Sequence, residues 1–89
     1  MPDPAPRYWN QRRQTDLSPG QRRVLVAAAN GRTQAETAAE LGVSVESIKS
    51  QRKWVFLKLG AKSITHAVAI AWRQGMIGPA DIIRGLRPA

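Results

Sequence analysis

Three side chains in the segment Val45 to Leu59 carry the clearest chemistry of this chain: Lys49, Ser50 and Lys53. Lysine donates hydrogen bonds from a positive charge, and serine both donates and accepts. Grouped on one helix face, these groups suit recognition of a polyanion rather than the making or breaking of bonds. Other residues with chemical potential lack companions. Glu36 and Glu40 are spaced i, i+4 and share a face, but no further catalytic group accompanies them, and Glu36 has a task as a capping partner. His66 is the only histidine, on the polar side of its helix beside Arg73, and has neither metal-ligand partners nor a nucleophile to serve. Cysteine is absent, so disulfides, thiolate metal sites and cysteine nucleophiles are excluded. The chain contains no phosphate-binding glycine loop, no nucleophile elbow and no internal repeat. The expectation is a protein that is not an enzyme and uses no cofactor, no metal and no small-molecule substrate.

The element that must position Lys49, Ser50 and Lys53 is a helix launched from a tight turn. Leu41 closes an alanine-rich helical run, and Gly42 can take the left-handed conformation that ends a helix. Ser44 is an N-cap for the next helix, its hydroxyl accepting an otherwise unpaired backbone N–H. Two helices joined this tightly form a helix-turn-helix, whose second helix can enter a DNA major groove. At about 100° per residue, Ile48, Val55 and Leu59 fall on one apolar stripe, with Lys49, Ser50 and Lys53 on the other side. Trp54 and Leu57 also lie away from the apolar stripe, exposed or covered by something else, and Phe56 sits at its edge, half-buried.

The supporting helices are marked by their own caps. Ser18, Pro19 and Gln21 form a capping box with proline at the first helical position, which opens a helix over Gly20 to about Ala29 with Val24, Leu25 and Ala28 at core spacing. Asn30-Gly31 stops it. Thr33 to Glu36 is a second capping box, opening a short helix to Leu41 in which Ala38 is small enough for close approach of a crossing helix. The third helix ends at Leu59-Gly60. A fourth spans about Ser63 to Gln74, with Gly75 ending it and Pro79 preventing resumption. Its apolar arc takes in Ala67, Ala71, Ile64, Val68 and Trp72, with Ile70 just outside. That is wider than the roughly 100° a surface helix needs. A second copy of the chain could cover the excess, or the tail Ala80 to Leu86, which has Ile82, Ile83 and Leu86 to bury in one or two helical turns.

At 89 residues the chain has room for one small domain, and its net charge of +8 suits nucleic acid or an anionic membrane surface. No apolar run approaches the roughly 20 residues of a membrane span, and the first residues lack the apolar core of a signal peptide. A cytoplasmic protein, associated with the nucleoid when bound to DNA, is expected. Residues 1–16 are expected to be a flexible or extended basic arm, since Pro2, Pro4 and Pro6 exclude a regular helix. Its Arg7, Arg12 and Arg13 could reach phosphates or a minor groove. Residues 17–78 form the domain and 79–89 a C-terminal tail.

From Leu17 to Ile77 the sequence resembles the LuxR/GerE-type DNA-binding domain, an all-α, four-helix helix-turn-helix module. The matching pieces are Leu17-Ser18-Pro19 with Val24-Leu25, Asn30-Gly31, Ala38, Leu41-Gly42-Val43-Ser44, Glu46 to Ser50, Lys58 to Ser63, and Ala67-Val68. The helix-turn-helix alone is also similar to the last domain of many sigma factors, but Lys58-Leu59-Gly60 followed by Ser63 and Ala67-Val68 favours the LuxR type. The resemblance implies transcriptional regulation and dimeric binding to paired half-sites of double-stranded DNA. It implies base contacts at Lys49, Ser50 and Lys53, and phosphate contacts at Thr33, Gln34, Ser47, Gln51 and Lys58. With only sixteen residues in front of the domain, a stand-alone, GerE-like form without a receiver or ligand-binding domain is expected.

Several positions depart from the family pattern. Thr37 replaces a branched aliphatic residue and weakens the core, and Arg23 replaces an acid. Trp54 and Leu57 replace polar residues, and Ile64 and Trp72 replace charged ones. Ile64, Trp72, Trp54 and Leu57, with Val68 from the wide apolar arc of the fourth helix, are candidates for a homodimer or partner interface. Two alternatives follow for function. One is a protein-interaction module that docks on another regulator or RNA polymerase through Trp54, Leu57 and Trp72. The other is an architectural or recombination accessory factor that bends DNA.

Overall fold

Each helix begins where a side-chain oxygen can accept the backbone N–H groups that the first turn leaves unpaired. The Ser18 hydroxyl accepts from the Gln21 N–H at 3.1 Å, and the Ser18 N–H donates to Gln21 Oε1 at 3.0 Å. This reciprocal pair opens α1, Pro19–Ala29. Thr33 and Glu36 repeat the arrangement at 3.0 and 2.8 Å to open α2, Gln34–Leu41. Ser44 accepts from the Ser47 N–H to open α3, Val45–Leu59, and Ser63 accepts from the His66 N–H to open α4, Ile64–Arg73. A three-residue 3-10 turn, Pro79–Asp81, follows. The computed structural model describes residues 17–83. The expectations for the arm at Arg7, Arg12 and Arg13, and for Leu86, lie outside the described residues. Among the described residues the fold is all-α, with the four helices the sequence predicts.

The turns between the paired helices rest on Gly42 and Gly60, both at φ +69°. A residue with a Cβ is strained in this left-handed region, by roughly 1–2 kcal/mol. At the first turn, the Val43 N–H donates back to the Ala38 carbonyl at 3.0 Å, closing the end of α2 before Ser44 starts α3. Only Gly42, Val43 and Ser44 separate the two helices.

Two apolar clusters hold the helices together. In the first, Val24 of α1, Ala38 of α2 and Ile48 of α3 are buried, with Leu41 packed at the margin. In the second, Leu25, Val55, Ala67, Ala71 and Ile77 are buried, drawing on α1, α3, α4 and the segment after α4. Helix α1 packs on both α3 and α4, and α2 packs on α3. The small side chains of Ala38, Ala67 and Ala71 sit at these crossings, where bulk would hold the helices apart. Ala28 and Leu59, expected as core, are half-buried.

Thr37 is 1% exposed. Its hydroxyl donates to the Thr33 carbonyl at 2.8 Å, one turn back, so the buried oxygen is satisfied within α2. The residue occupies a core position without leaving a polar atom stranded.

After α4 the chain returns to α1. Asp81 forms an ion pair with Arg22 at 2.9 Å and accepts from the Gly78 N–H at 3.0 Å. Asn30, which ends α1, donates from its amide to the Asp81 carbonyl at 3.0 Å and accepts from the Ile83 N–H at 2.6 Å. In place of the one or two helical turns expected over Ala80 to Leu86, the described part has a single 3-10 turn fastened to α1.

Candidate nucleic-acid interface

Helix α3 is seated by Ile48 and Val55, which are 1% and 0% exposed. The opposite arc must therefore face outward. On it, Glu46, Ser47, Lys49, Ser50, Lys53, Trp54 and Leu57 are all exposed. Lys49, Ser50 and Lys53 thus share one surface, as their spacing implies. Glu46 approaches Lys49 at 3.7 Å, a solvated i, i+3 pair. Exposed pairs of this kind are worth about 0–1 kcal/mol, so Lys49 is readily available to an anion. Among the described residues, no carboxylate lies within ion-pair distance of Lys53.

The five positions implied as phosphate contacts fall on two flanks. Thr33 is exposed at the N-cap of α2 and Gln34 is half-buried beside it. The Thr33 hydroxyl oxygen accepts within the capping box and its proton remains able to donate outward. The other flank carries Ser47, Gln51 and Lys58 on α3. Ser47 is exposed, and Gln51 and Lys58 are half-buried. Lys58 Nζ donates to Gln21 Oε1 at 2.8 Å and so ties the end of α3 to the start of α1. An ammonium has three donors, so this bond leaves two for another acceptor.

Three arginines outside the sequence-predicted set add to this surface. Arg23 of α1 lines a groove of about 360 Å³ together with Gly20, Glu40, Val43, Ser47 and Gln51. The cation therefore sits beside the Ser47 and Gln51 flank. Glu40, at the same groove, is engaged by Arg32 at 2.8 Å. Arg52 is half-buried, and its Nε is enclosed without a hydrogen-bond partner among the described residues. Burial lowers its pKa from the ordinary value. The signal for Arg52 was its place one turn after Ile48, at the margin of the apolar stripe; Arg23 and Arg32 depend on how α1 and α2 cross, which spacing along one helix does not give.

The candidate interface residues divide between two helices. On α4, Ala67 and Ala71 are buried in the core, Ile64 and Val68 are half-buried, and Trp72 is 48% exposed at the margin. On α3, Trp54 and Leu57 are 53% and 64% exposed. His66 takes a structural part: its Nδ1 accepts from the Lys62 N–H at 3.0 Å, at the start of α4.

The family described as bacterial regulatory proteins, luxR family, matches residues 15–71, which take in α1, α2, α3 and most of α4. The chain is 39% identical over 71 residues to the transcriptional regulatory protein YdfI of Bacillus subtilis, covering 80% of this chain and 33% of that protein. It is 40% identical over 63 residues to the HTH-type transcriptional activator RamA of Corynebacterium glutamicum, covering 71% of this chain and 22% of the relative. It is 34% identical over 76 residues to the transcriptional activator protein EsaR of Pantoea stewartii subsp. stewartii, covering 85% of this chain and 30% of that protein. The chain thus spans a third or less of the length of these relatives. No solved structure matches it. With helices, caps and turn at the positions the match covers, the chain belongs to the luxR family of bacterial regulatory proteins.

Proposed function

We propose that this chain is a sequence-specific DNA-binding transcriptional regulator that sets α3 in the major groove and acts as a two-fold dimer. One observation carries the reading: Lys49, Ser50 and Lys53 lie together on the outward face of a helix anchored behind by Ile48 and Val55. In the major groove, lysine donates to the guanine O6 and N7 acceptors, and serine can pair with several bases. Thr33 and Gln34 on one side, and Ser47, Gln51 and Lys58 on the other, hold the backbones that flank the groove. Arg7, Arg12 and Arg13 supply further contacts, to phosphates or the minor groove. The net charge of +8 supports a polyanionic partner. Such a protein works in the cytoplasm, on the nucleoid. Among the described residues no helix is long and apolar enough to cross a membrane. No catalytic role is proposed.

The dimer reading rests on α4. The described tail is fastened to α1 through Asp81 and Ile83, and Trp72 beside Ile64 and Val68 keeps about half its surface open. A two-fold pairing of α4 helices would present two copies of α3 to one face of a duplex, and the preferred site would be an imperfect palindrome. Selection of bound sites from random duplexes tests both parts. Recovery of paired half-sites is expected, and log affinity should fall against log salt concentration with a slope of roughly 0.9 for each phosphate neutralised. Binding without sequence preference would defeat the proposal. Sedimentation of wild type and Trp72→Ala, with and without DNA, tests the dimer. The substitution should reduce self-association first and DNA affinity second, and a wild type that stays monomeric and binds one to one would exclude it.

A further inference from the structure

We propose that Trp54 reads the 5-methyl groups of thymine in the major groove, with Leu57 extending the apolar contact at the groove edge. The inference rests on the DNA-binding reading and deepens it by naming a base feature and the side chains that recognise it. Val55, between the two in sequence, is fully buried, whereas Trp54 and Leu57 are 53% and 64% exposed. Both therefore project from the side of α3 that faces away from the core. At about 100° per residue, they fall on either side of Ser50, in the same arc as Lys49 and Lys53.

Their position along the helix also fits. Trp54 lies one turn beyond Ser50, about 6 Å along the axis at 1.5 Å per residue. Leu57 lies about 12 Å beyond Lys49 on the same rise, comparable to the roughly 12 Å width of the major groove. A helix that sets Lys49 and Ser50 against base edges keeps Trp54 within the groove and brings Leu57 to its margin. The apolar group that a base pair offers there is the thymine methyl. An indole supplies a broad apolar edge to cover it, and one N–H that a nearby acceptor can satisfy.

Charge selects the duplex over a protein partner. Trp54 and Leu57 are continuous with Lys49 and Lys53, and the one carboxylate on this arc, Glu46, already lies beside Lys49. A partner covering the tryptophan must accommodate two ammonium groups at its border. A duplex does so with the phosphates and base acceptors that line the same groove.

The test uses a duplex recovered by selection with the wild-type protein, and the same duplex with deoxyuridine in place of every thymidine. That exchange removes the 5-methyl groups and leaves base pairing intact. Wild type should bind the uracil duplex about fourfold more weakly for each methyl contacted, the worth of one buried methyl-sized group. Trp54→Ala should bind the two duplexes alike, and Leu57→Ala should keep a reduced preference. Equal binding of both duplexes by wild type overturns the proposal and leaves DNA binding intact. So does a preference undiminished in Trp54→Ala, or a selected site with no thymine in its half-sites. Loss of self-association by Trp54→Ala in the absence of DNA would assign the face to a second copy and also overturn it. Failure to recover any preferred duplex defeats the underlying reading as well. Circular dichroism should show an unchanged fold for both variants, since neither side chain is in the core.

Discussion

The two apolar clusters of this domain differ in size and in what stands beside them. Leu25, Val55, Ala67, Ala71 and Ile77 draw on three helices and the segment after α4, within a ring of partly buried apolar side chains. Val24, Ala38 and Ile48 have Leu41 at their margin. The thinner cluster is the one that seats α2 and the front of α3. Local polar bonds gather there: the Thr33–Glu36 box, the Thr37 hydroxyl on the Thr33 carbonyl, the Ser44 cap and the Arg32–Glu40 pair. The presentation of Lys49 and Ser50 therefore depends on caps and a turn as much as on burial. The fourth helix has a cap of its own at Ser63, and it places Ala67 and Ala71 in the larger cluster.

Truncation at the centre of each cluster is the strongest challenge to this contrast. Leu25→Ala should destabilise the domain by about 2–5 kcal/mol, through lost burial and the cavity left behind. Val24→Ala removes a smaller side chain from the thinner cluster and should cost roughly 1–3 kcal/mol. Urea unfolding checks both, and equal losses would erase the distinction. A smaller and more local effect is expected at the cap of α2. Thr33→Ala should cost about 1 kcal/mol, read as faster amide exchange over the first turn of α2 with α4 unaltered. Uniform acceleration across all four helices would mean that α2 does not open separately.

The smallest effect concerns the tail. The Gly78 N–H, then the Arg22 guanidinium, hold the Asp81 carboxyl below the ordinary carboxylate range. A depressed folded-state pKa means that this anchor is at full strength above the unfolded value, near 4. It is lost as pH falls through the lower folded value. The amide resonances of Gly78 and Ile83 should shift together on acidification below about pH 4. Asp81→Asn should abolish that titration, and a titration persisting in the variant would assign it to another group.

Much of this organisation is legible from the sequence because its causes are local. Ser18 with Gln21, Thr33 with Glu36, and Gly42 before Ser44 each act within a few residues, and the structure places each as its spacing implies. The outward arc of α3 follows from helix periodicity alone. Bonds that join distant segments were not legible. Lys58 to Gln21, Arg22 to Asp81 and Asn30 to Ile83 depend on how the helices cross and where the chain returns. Asn30 shows the difference: the sequence marks it as a helix stop, and the fold also makes it the tether for the tail. Thr37 shows it in another way, since its hydroxyl looks unfavourable in a core until its bond to the preceding turn is seen.

The central claim is that the outward face of α3 reads base edges. Competition binding of wild type, Lys49→Ala and Lys53→Ala to a selected duplex and to random duplex DNA tests it most directly. Each lysine substitution should weaken the selected duplex by about 1–3 kcal/mol more than random DNA, the discrimination expected of a well-placed base contact. Equal weakening on both duplexes would mean that Lys49 and Lys53 touch only phosphate and would contradict the account.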